Sequence, residues 1–400
     1  PEVFSQHGEA TFRHYERRLC EELARQCGLV IATGGGALVD AENRRLLETG
    51  GLVVCLDCAP EELLHRLRGD AGRPLLWGDD PAGRLRSLLA ERRPAYARIP
   101  HHIDTTCRSP EQVAADILAL HAARPATWRV RTPTADYPVH LHAGGLGAIG
   151  GLLAAHGVGP TVVIVSDAHV WPLYGERVRR GIDGAGLAAQ RIVLPAGEEH
   201  KTLATLSTLY DAFAEAGLDR SGAVVALGGG VVTDTAGLAA ATFLRGVPLV
   251  GAPTTLLAMV DAAVGGKVAV DHPRGKNLIG AFVEPLLVML DPDALATLPE
   301  VERLAGLAEV LKAGIIADPA LFSALEAGAD APDWRWLVER ALRVKIEVVE
   351  EDPYERGRRA VLNLGHTFAH AFERLAGYRL HHGLAVAIGT AAAAHLAEVH

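Results

Sequence analysis

The stretch Ala223-Val-Val-Ala-Leu-Gly-Gly-Gly-Val-Val-Thr-Asp234 decides the fold. Five apolar residues are too few for a helix and fit a strand buried on both faces. Gly228-Gly229-Gly230 then turns the chain into a helix-length segment, 231–244, that carries Asp234. Such glycines let a phosphate approach the backbone, and the helix N-terminus offers N–H donors and a positive dipole. The spacing is not G-x-G-x-x-G, so a tight βα turn without a ligand reads as well. Outward from this point, Thr161–Val165, Arg191–Leu194 and Leu249–Ala252 read as strands, with helix-length segments at 170–184 and 202–217 between them. That is the pattern of a parallel sheet with crossover helices.

The strand signal stops near Leu298. Segments 302–316, 319–327, 333–350 and 362–376 have helical period, and the Ala/Val-rich run Leu384–Leu396 reads as a buried helix. Towards the N-terminus, apolar runs at Leu29–Thr33 and Leu52–Leu56 alternate with amphipathic stretches at Phe12–Gln26 and Pro60–Arg68, which suggests another layered α/β unit. Gln112–Ala123 reads as a helix. The plan is therefore an α/β unit over 1–124, a Pro-containing linker over 125–136, a Rossmann-like parallel-sheet domain over 137–298 and an all-helical domain over 299–400.

The net charge of −9 argues against nucleic acid or an anionic membrane as partner, and aromatics at 5% leave little for base stacking. No uninterrupted apolar run approaches the roughly 18 residues of a spanning helix. Cys20, Cys27, Cys55, Cys58 and Cys107 all precede residue 108. That bias suits reduced thiols and a cytoplasmic setting rather than a disulfide framework. Cys55-Leu-Asp-Cys58 has C-x-x-C spacing without a second pair, so it reads as strand thiols rather than a zinc site.

Several clusters carry chemistry. Pro195-Ala-Gly-Glu-Glu-His-Lys201 follows a strand, where open α/β sheets bind ligands, although a solvated charged loop fits too. Asp261, Lys267, Lys276 and Asn277 lie in Gly-rich, otherwise apolar sequence, where unpaired charge would be costly. Two lysines and an asparagine suit an anionic substrate. His366 and His370, four apart, share a helix face; they read as a ligand pair or as core histidines. His381, His382 and Glu309 add donors suited to a catalytic zinc. Lys345, Asp352, Glu355, Arg359 and Asn363 follow at short intervals and also fit a solvated helix face.

Taken in order, these motifs resemble the 3-dehydroquinate synthase family over about residues 130–400. The resemblance rests on Pro195…Lys201, Gly228–Asp234, Pro253-Thr-Thr-Leu-Leu-Ala-Met-Val-Asp261, Gly265-Gly-Lys267, Gly275-Lys-Asn277, Ala308-Glu-Val-Leu-Lys312, Leu362-Asn-Leu-Gly-His-Thr-Phe-Ala-His370 and His382-Gly. It implies NAD and a zinc (or cobalt) ion. It revises the ligands to Glu309, His366 and His382, and moves His370 into the substrate pocket. It implies dinucleotide contacts from Asp167, Glu198, Lys201, Gly229, Gly230, Asp234, Thr254, Thr255, Leu257 and Thr297. The substrate pocket by resemblance is Asp261, Lys267, Lys276, Asn277, Lys312, Lys345, Arg359, Asn363 and His370, with Arg245 lent across a homodimer interface. The implied reaction turns a heptulosonate phosphate into a carbocycle by transient oxidation, phosphate elimination, reduction and ring closure. Val301 and Leu384 depart from the family pattern, which leaves fine geometry open.

Residues 1 to about 122 resemble shikimate kinase through Phe4, Gly8-Glu9, Phe12-Arg13, Glu16, Gly34-Gly35-Gly36, Arg73-Pro-Leu-Leu76, Arg92, Pro94 and Tyr96. The resemblance implies that Arg13, Gly35, Gly36 and Arg92 hold shikimate and that Arg73 reaches phosphates. No G-x-x-x-x-G-K-[S/T] loop occurs in the sequence, so the chain as given is expected to lack kinase activity and to be a piece of a kinase–synthase fusion. A related sugar-phosphate cyclase, a metal-dependent NAD polyol dehydrogenase and a degenerate scaffold are the competing readings.

Overall fold

The computed structural model describes every residue except 1, 25, 27–28, 68–79, 329–332, 378–379 and 400. The chain divides into two compact units, Pro1–Arg124 and Pro125–His400.

In the first unit, α1 (Glu2–Leu23) bends at Gly8, and α2 (Ala41–Gly50), α3 (Pro60–Arg66), α4 (Pro81–Tyr96) and α5 (Pro110–Ala123) follow. Its strands β1 (Val54–Asp57) and β2 (His101–Asp104) pair in parallel. Ser109 and Gln112 form a capping box that starts α5. The run Leu29–Thr33, expected as a strand, is irregular chain without ladder pairing, and Val30 is fully exposed. Its apolar pattern is that of a strand, but no strand lies beside it among the described residues.

The second unit is built on a seven-stranded sheet of order β3-β4-β11-β8-β7-β5-β6. Its strands are β3 (Ala126–Arg131), β4 (Asp136–Leu141), β5 (Thr161–Asp167), β6 (Ala188–Leu194), β7 (Ala223–Gly228), β8 (Leu249–Pro253) and β11 (Leu287–Leu290). All neighbours are parallel except the β3–β4 pair at the edge. The stretch expected as a linker, 125–136, is therefore mostly strand, and Val130 is fully buried there. Strands β9 (Lys267–His272) and β10 (Gly275–Phe282) form a separate antiparallel hairpin.

Period-two alternation sends successive residues to opposite sheet faces. Val163, Val165, Val224 and Ala226 pack under α8 (Leu203–Glu215) and α9 (Gly230–Thr242). Ile164, Val225 and Leu227 pack under α6 (Ile149–Ala155) and α7 (Glu176–Gly184). Each fully buried large side chain contributes about 1.5–3 kcal/mol. Helices α10 (Glu300–Ala317), α11 (Pro319–Ala327), α12 (Trp334–Glu351), α13 (His366–Leu375) and α14 (His382–Val399) complete the unit. Asp318 and Asp333 cap α11 and α12 through the amides of Leu321 and Trp336 at 3.1 and 3.0 Å. The expected buried helix is α14, but only one face of its first half is covered, with Gly383, Ala385, Val386, Gly389 and Thr390 buried; Ile388, Leu396 and Val399 are exposed. By length and composition His382–Val399 could cross a membrane. Its first turns, however, pack on α10 and α13.

Candidate functional site

β6 lies on one side of β5 and β7 on the other, so the strand order reverses between β5 and β7. Open parallel sheets bind ligands beyond the carboxyl ends of the strands at such a point. Asp167 ends β5 and Gly228-Gly229-Gly230 ends β7. Asp167 Oδ1 accepts from the amides of His169 (2.8 Å) and Val170 (2.9 Å), which closes the turn. A Cβ on Gly230 would meet nothing within 4 Å, so this helix start faces open space; one on Gly229 would press Thr255 at 3.0 Å. The buried Thr254 hydroxyl has no hydrogen-bond partner among the described residues. A buried hydroxyl left unpaired beside an open helix N-terminus fits a dinucleotide phosphate. Leu257 is half-buried nearby in sequence, and Thr297 Oγ1 lies 2.5 Å from the Tyr174 hydroxyl.

Lys201 is buried and donates to Asp234 Oδ2 and Asn277 Oδ1, both at 2.6 Å. Burial pushes the Asp234 carboxyl up to about 6, only partly offset by Lys201. Burial opposes the Lys201 charge, but Asp234 and Glu198 outweigh it and raise its pKa.

Three elements converge on a second point. Glu309 comes from α10, His366 opens α13 and His382 opens α14; one donor atom from each lies within 4.8 Å of the others. Glu309 Oε1 is buried without a hydrogen-bond partner among the described residues, and His366 Nε2 is 3.9 Å away. Donors bound at about 2.0–2.2 Å to one ion sit at most about 4.4 Å apart, so this carboxylate and imidazole fit a divalent metal. The other Glu309 oxygen pairs with Lys312. Burial raises the Glu309 pKa despite Lys312. Burial, helped by Lys312 and His382, depresses His366 to about 4, which keeps the imidazole a neutral ligand.

Backbone contact sets this geometry. A Cβ on Gly383 would fall 2.0 Å from the Ala305 carbonyl, and one on Gly389 2.2 Å from the Gly365 carbonyl. Gly365 itself holds φ +79° as it caps α13. His370 lies 5.7 Å from His366 and 6.1 Å from His382 between ring centres, exposed beside the triad. His381 faces Glu302 at 3.3 Å instead.

The remaining charges form a network against this triad. Asp261 sits in a turn of wide i→i+5 helix, 258–262, and accepts from Lys345 Nζ at 2.5 Å. Burial would raise the Asp261 pKa, but Lys345 and Lys312 hold it well below the usual range. Burial lowers the Lys345 pKa despite Asp261. Lys276, on the β9–β10 hairpin, lies 3.1 Å from Glu373 and 3.2 Å from Glu198. Lys267 and Asn363 both donate to Glu355. Arg359 is 1% exposed, bonds the Gly265 carbonyl at 2.8 Å and the Pro353 carbonyl, and has a partnerless Nε. Asp352 accepts the amides of Arg356, Gly357 and Arg359 at 2.7–3.0 Å and so shapes the turn that aims it.

Residues 191–305 match the 3-dehydroquinate synthase N-terminal family model and 306–400 the C-terminal one. A 3-dehydroquinate synthase of Synechocystis sp. is 47% identical over 278 residues, 67% of this chain and 77% of that one. One of Pelobacter propionicus is 50% identical over 268 residues, 65% and 75% of the two chains. The chain belongs to the 3-dehydroquinate synthase family. Among solved structures, 2-epi-5-epi-valiolone synthase of Streptomyces hygroscopicus, with NAD+ and Zn2+ bound, is 33% identical at a TM-score of 0.59 and covers 66% of this chain and 75% of that one. A 2-deoxy-scyllo-inosose synthase in complex with carbaglucose-6-phosphate, NAD+ and Co2+ is 25% identical at 0.60, covering 66% and 75%.

In this synthase unit, Arg245, the residue expected to be lent across a homodimer interface, lies at the surface. It is exposed on the turn after α9, at φ +66°. Glu373, in contrast, was not singled out from the sequence. It is 1% exposed and touches both Lys276 and His382. Its signal was available: seven residues after His366 and three after His370, it falls on their helix face. Burial would raise Glu373, but His382 and Lys276 hold it down to about 2.

Residues 1–121 match the shikimate kinase family model. There Arg92 donates to the Gly35 carbonyl at 2.5 Å, as does the Tyr96 hydroxyl. A Cβ on Gly36 would lie 2.8 Å from the Arg13 guanidinium, which also pairs with Glu16 at 2.6 Å. Arg13, Gly35, Gly36 and Arg92 thus come together; Arg73 lies outside the described residues. Cys55, Asp57 and His102 also cluster, but the half-exposed Asp57 already holds His102 at 2.7 Å.

Proposed function

We propose that the second unit performs the 3-dehydroquinate synthase reaction with the residues brought together beyond the sheet's carboxyl edge. The substrate is 3-deoxy-D-arabino-heptulosonate 7-phosphate, and the products are 3-dehydroquinate and phosphate. The observation that carries the assignment is the buried, partnerless Glu309 oxygen, held with His366 and His382 against a network of paired cations.

When bound, NAD takes and returns one hydride, and a zinc or cobalt ion polarises the carbinol oxygen. Glu309, His366 and His382 would hold the ion. Gly229, Gly230, Thr254, Thr255 and Asp167 would hold the dinucleotide, with Glu198, Lys201, Asp234, Leu257 and Thr297 around it. The chain's cations Lys267, Lys276, Lys312, Lys345 and Arg359 are matched by the carboxylates Asp261, Glu198, Glu309, Glu355 and Glu373, so these groups sum to zero. A divalent ion then makes the pocket net cationic, as a phosphorylated keto acid requires. Lys267 and Arg359 exchange internal oxygen partners for substrate oxygens, with Asn363 and His370 on the phosphate side. Asp261 and Lys345 fix the carbinol end. The proton lost beside the new ketone passes to the leaving phosphate, so the protein needs no strong base. The overall reaction has no net redox change, and the enol closes to the ring.

The test is turnover of this heptulosonate phosphate: phosphate accumulates while absorbance at 340 nm stays flat. Turnover of other sugar phosphates alone would reassign the chain to a neighbouring cyclase activity. Steady NADH build-up would make it a dehydrogenase.

In the first unit, Arg13, Arg92 and the Gly35-Gly36 backbone are proposed to hold shikimate, with Arg73 towards phosphate. The exposed Arg245 is proposed to complete the pocket of a homodimer partner. Free Cys20, Cys55, Cys58 and Cys107 support a cytoplasmic location.

A further inference from the structure

Glu373 is a buried carboxylate with two separate dependants. Its Oε1 accepts from Lys276 Nζ at 3.1 Å and its Oε2 faces His382 Nδ1 at 3.4 Å. Lys276 comes from the β9–β10 hairpin and His382 from the start of α14, so α13 supplies a carboxylate that touches both. A carboxylate at Nδ1 makes that nitrogen the donor and leaves the lone pair on Nε2. Carboxylates behind ligand imidazoles raise their basicity and fix their rings. An isolated buried carboxylate would be costly, and Lys276 offsets that cost.

We propose that Glu373 is a positioning residue: it orients His382 for the metal and holds Lys276 at the substrate pocket, joining the two. This rests on Glu309, His366 and His382 being the metal ligands. It predicts a division of labour. The His382 contact governs metal affinity, whereas the Lys276 contact governs how the hairpin meets the anionic substrate.

The experiment is Zn2+ titration of the full 400-residue chain against a chromophoric chelator, with Co2+ absorption as a second readout. Glu373→Gln keeps the size and removes the charge. Its zinc dissociation constant is expected to rise about 10–100-fold, with Glu373→Asp falling between it and the parent. Lys276→Met leaves the contact to His382 and should bind zinc no more weakly than the parent. Glu309→Gln should abolish tight binding. If Glu309→Gln binds normally, the ligand assignment itself fails. If it does not bind while folded Glu373→Gln matches the parent, the positioning role alone is overturned. Equal losses in Lys276→Met and Glu373→Gln would also overturn it, since any break in the ion pair would then suffice. Should Glu373→Gln not fold, parent-like affinity and cobalt spectrum in Glu373→Asp would refute the proposal.

Discussion

Gly265→Ala tests the packing around Arg359. Gly265 adopts φ +100°, and its carbonyl holds the Arg359 guanidinium. A Cβ there would stand 2.5 Å from Arg359 Nη2 and 2.9 Å from Val349 Cγ2. An alanine at positive φ costs about 1–2 kcal/mol. Overpacking a closed site costs about 1–3 kcal/mol more. The variant should therefore lose roughly 2–5 kcal/mol, read from urea unfolding. To regain ordinary contact the guanidinium must retreat about 1 Å, and a shift of that size costs about 100-fold in rate. Val349 is on α12 one turn beyond Lys345, so the strain also reaches the Asp261 partner. Phosphate release from the heptulosonate phosphate should show the loss in kcat/KM, with NAD binding little changed. A variant within about 0.5 kcal/mol of the parent and of equal kcat/KM would refute the reasoning.

Three further outcomes follow from the charge network. Lys345→Met leaves the half-buried Asp261 with Lys312 as its nearby cation; breaking a fully buried pair costs about 3–5 kcal/mol, and the carboxylate's partial exposure with the remaining lysine places the loss below that, measurable by denaturant titration. Glu309→Gln should emerge from dialysis without bound metal, by elemental analysis, and without phosphate release. Asp234 has its carboxyl raised from 3.8 to about 6, so the native state holds the extra proton between those values. Its contribution therefore makes the protein less stable as pH climbs from about 4 to 6, and Asp234→Asn should flatten that part of the urea-midpoint profile.

Sequence reasoning found the parallel core because β5, β6, β7 and β8 are apolar runs bounded by turn residues. The ordered motifs singled out Glu309, His366 and His382, whose donor atoms the structure brings within 4.8 Å of one another. It missed β3 because Pro125 and alternating polar residues resemble a linker; half-exposed edge strands carry that alternation by necessity. The β9–β10 hairpin was hidden because its glycines and charges serve the pocket rather than a strand pattern. Leu29–Thr33 erred the other way: it is strand-like in composition, but pairing depends on a neighbour that no local pattern reveals. The His366–His370 spacing suggested a ligand pair, yet the structure closes the triad with His382 from a different helix. Helix period reports a shared face but not what crosses it.

The crossings at Gly383 on Ala305 and Gly389 on Gly365 have a consequence for how this site tolerates change. Both glycine–backbone contacts lie next to donor residues, His382 and His366. Main chain resting on main chain has no rotamers, so the distance between the two imidazole-bearing helices is indifferent to which side chains fill the space around them. The residues proposed to meet substrate on the hairpin and on α12 can then drift while the cluster of Glu309, His366 and His382 keeps its shape. A designer wishing to retarget this scaffold should treat those two glycines as fixed points, together with Lys267, Lys276 and Asn277, and the rest of the hairpin as adjustable.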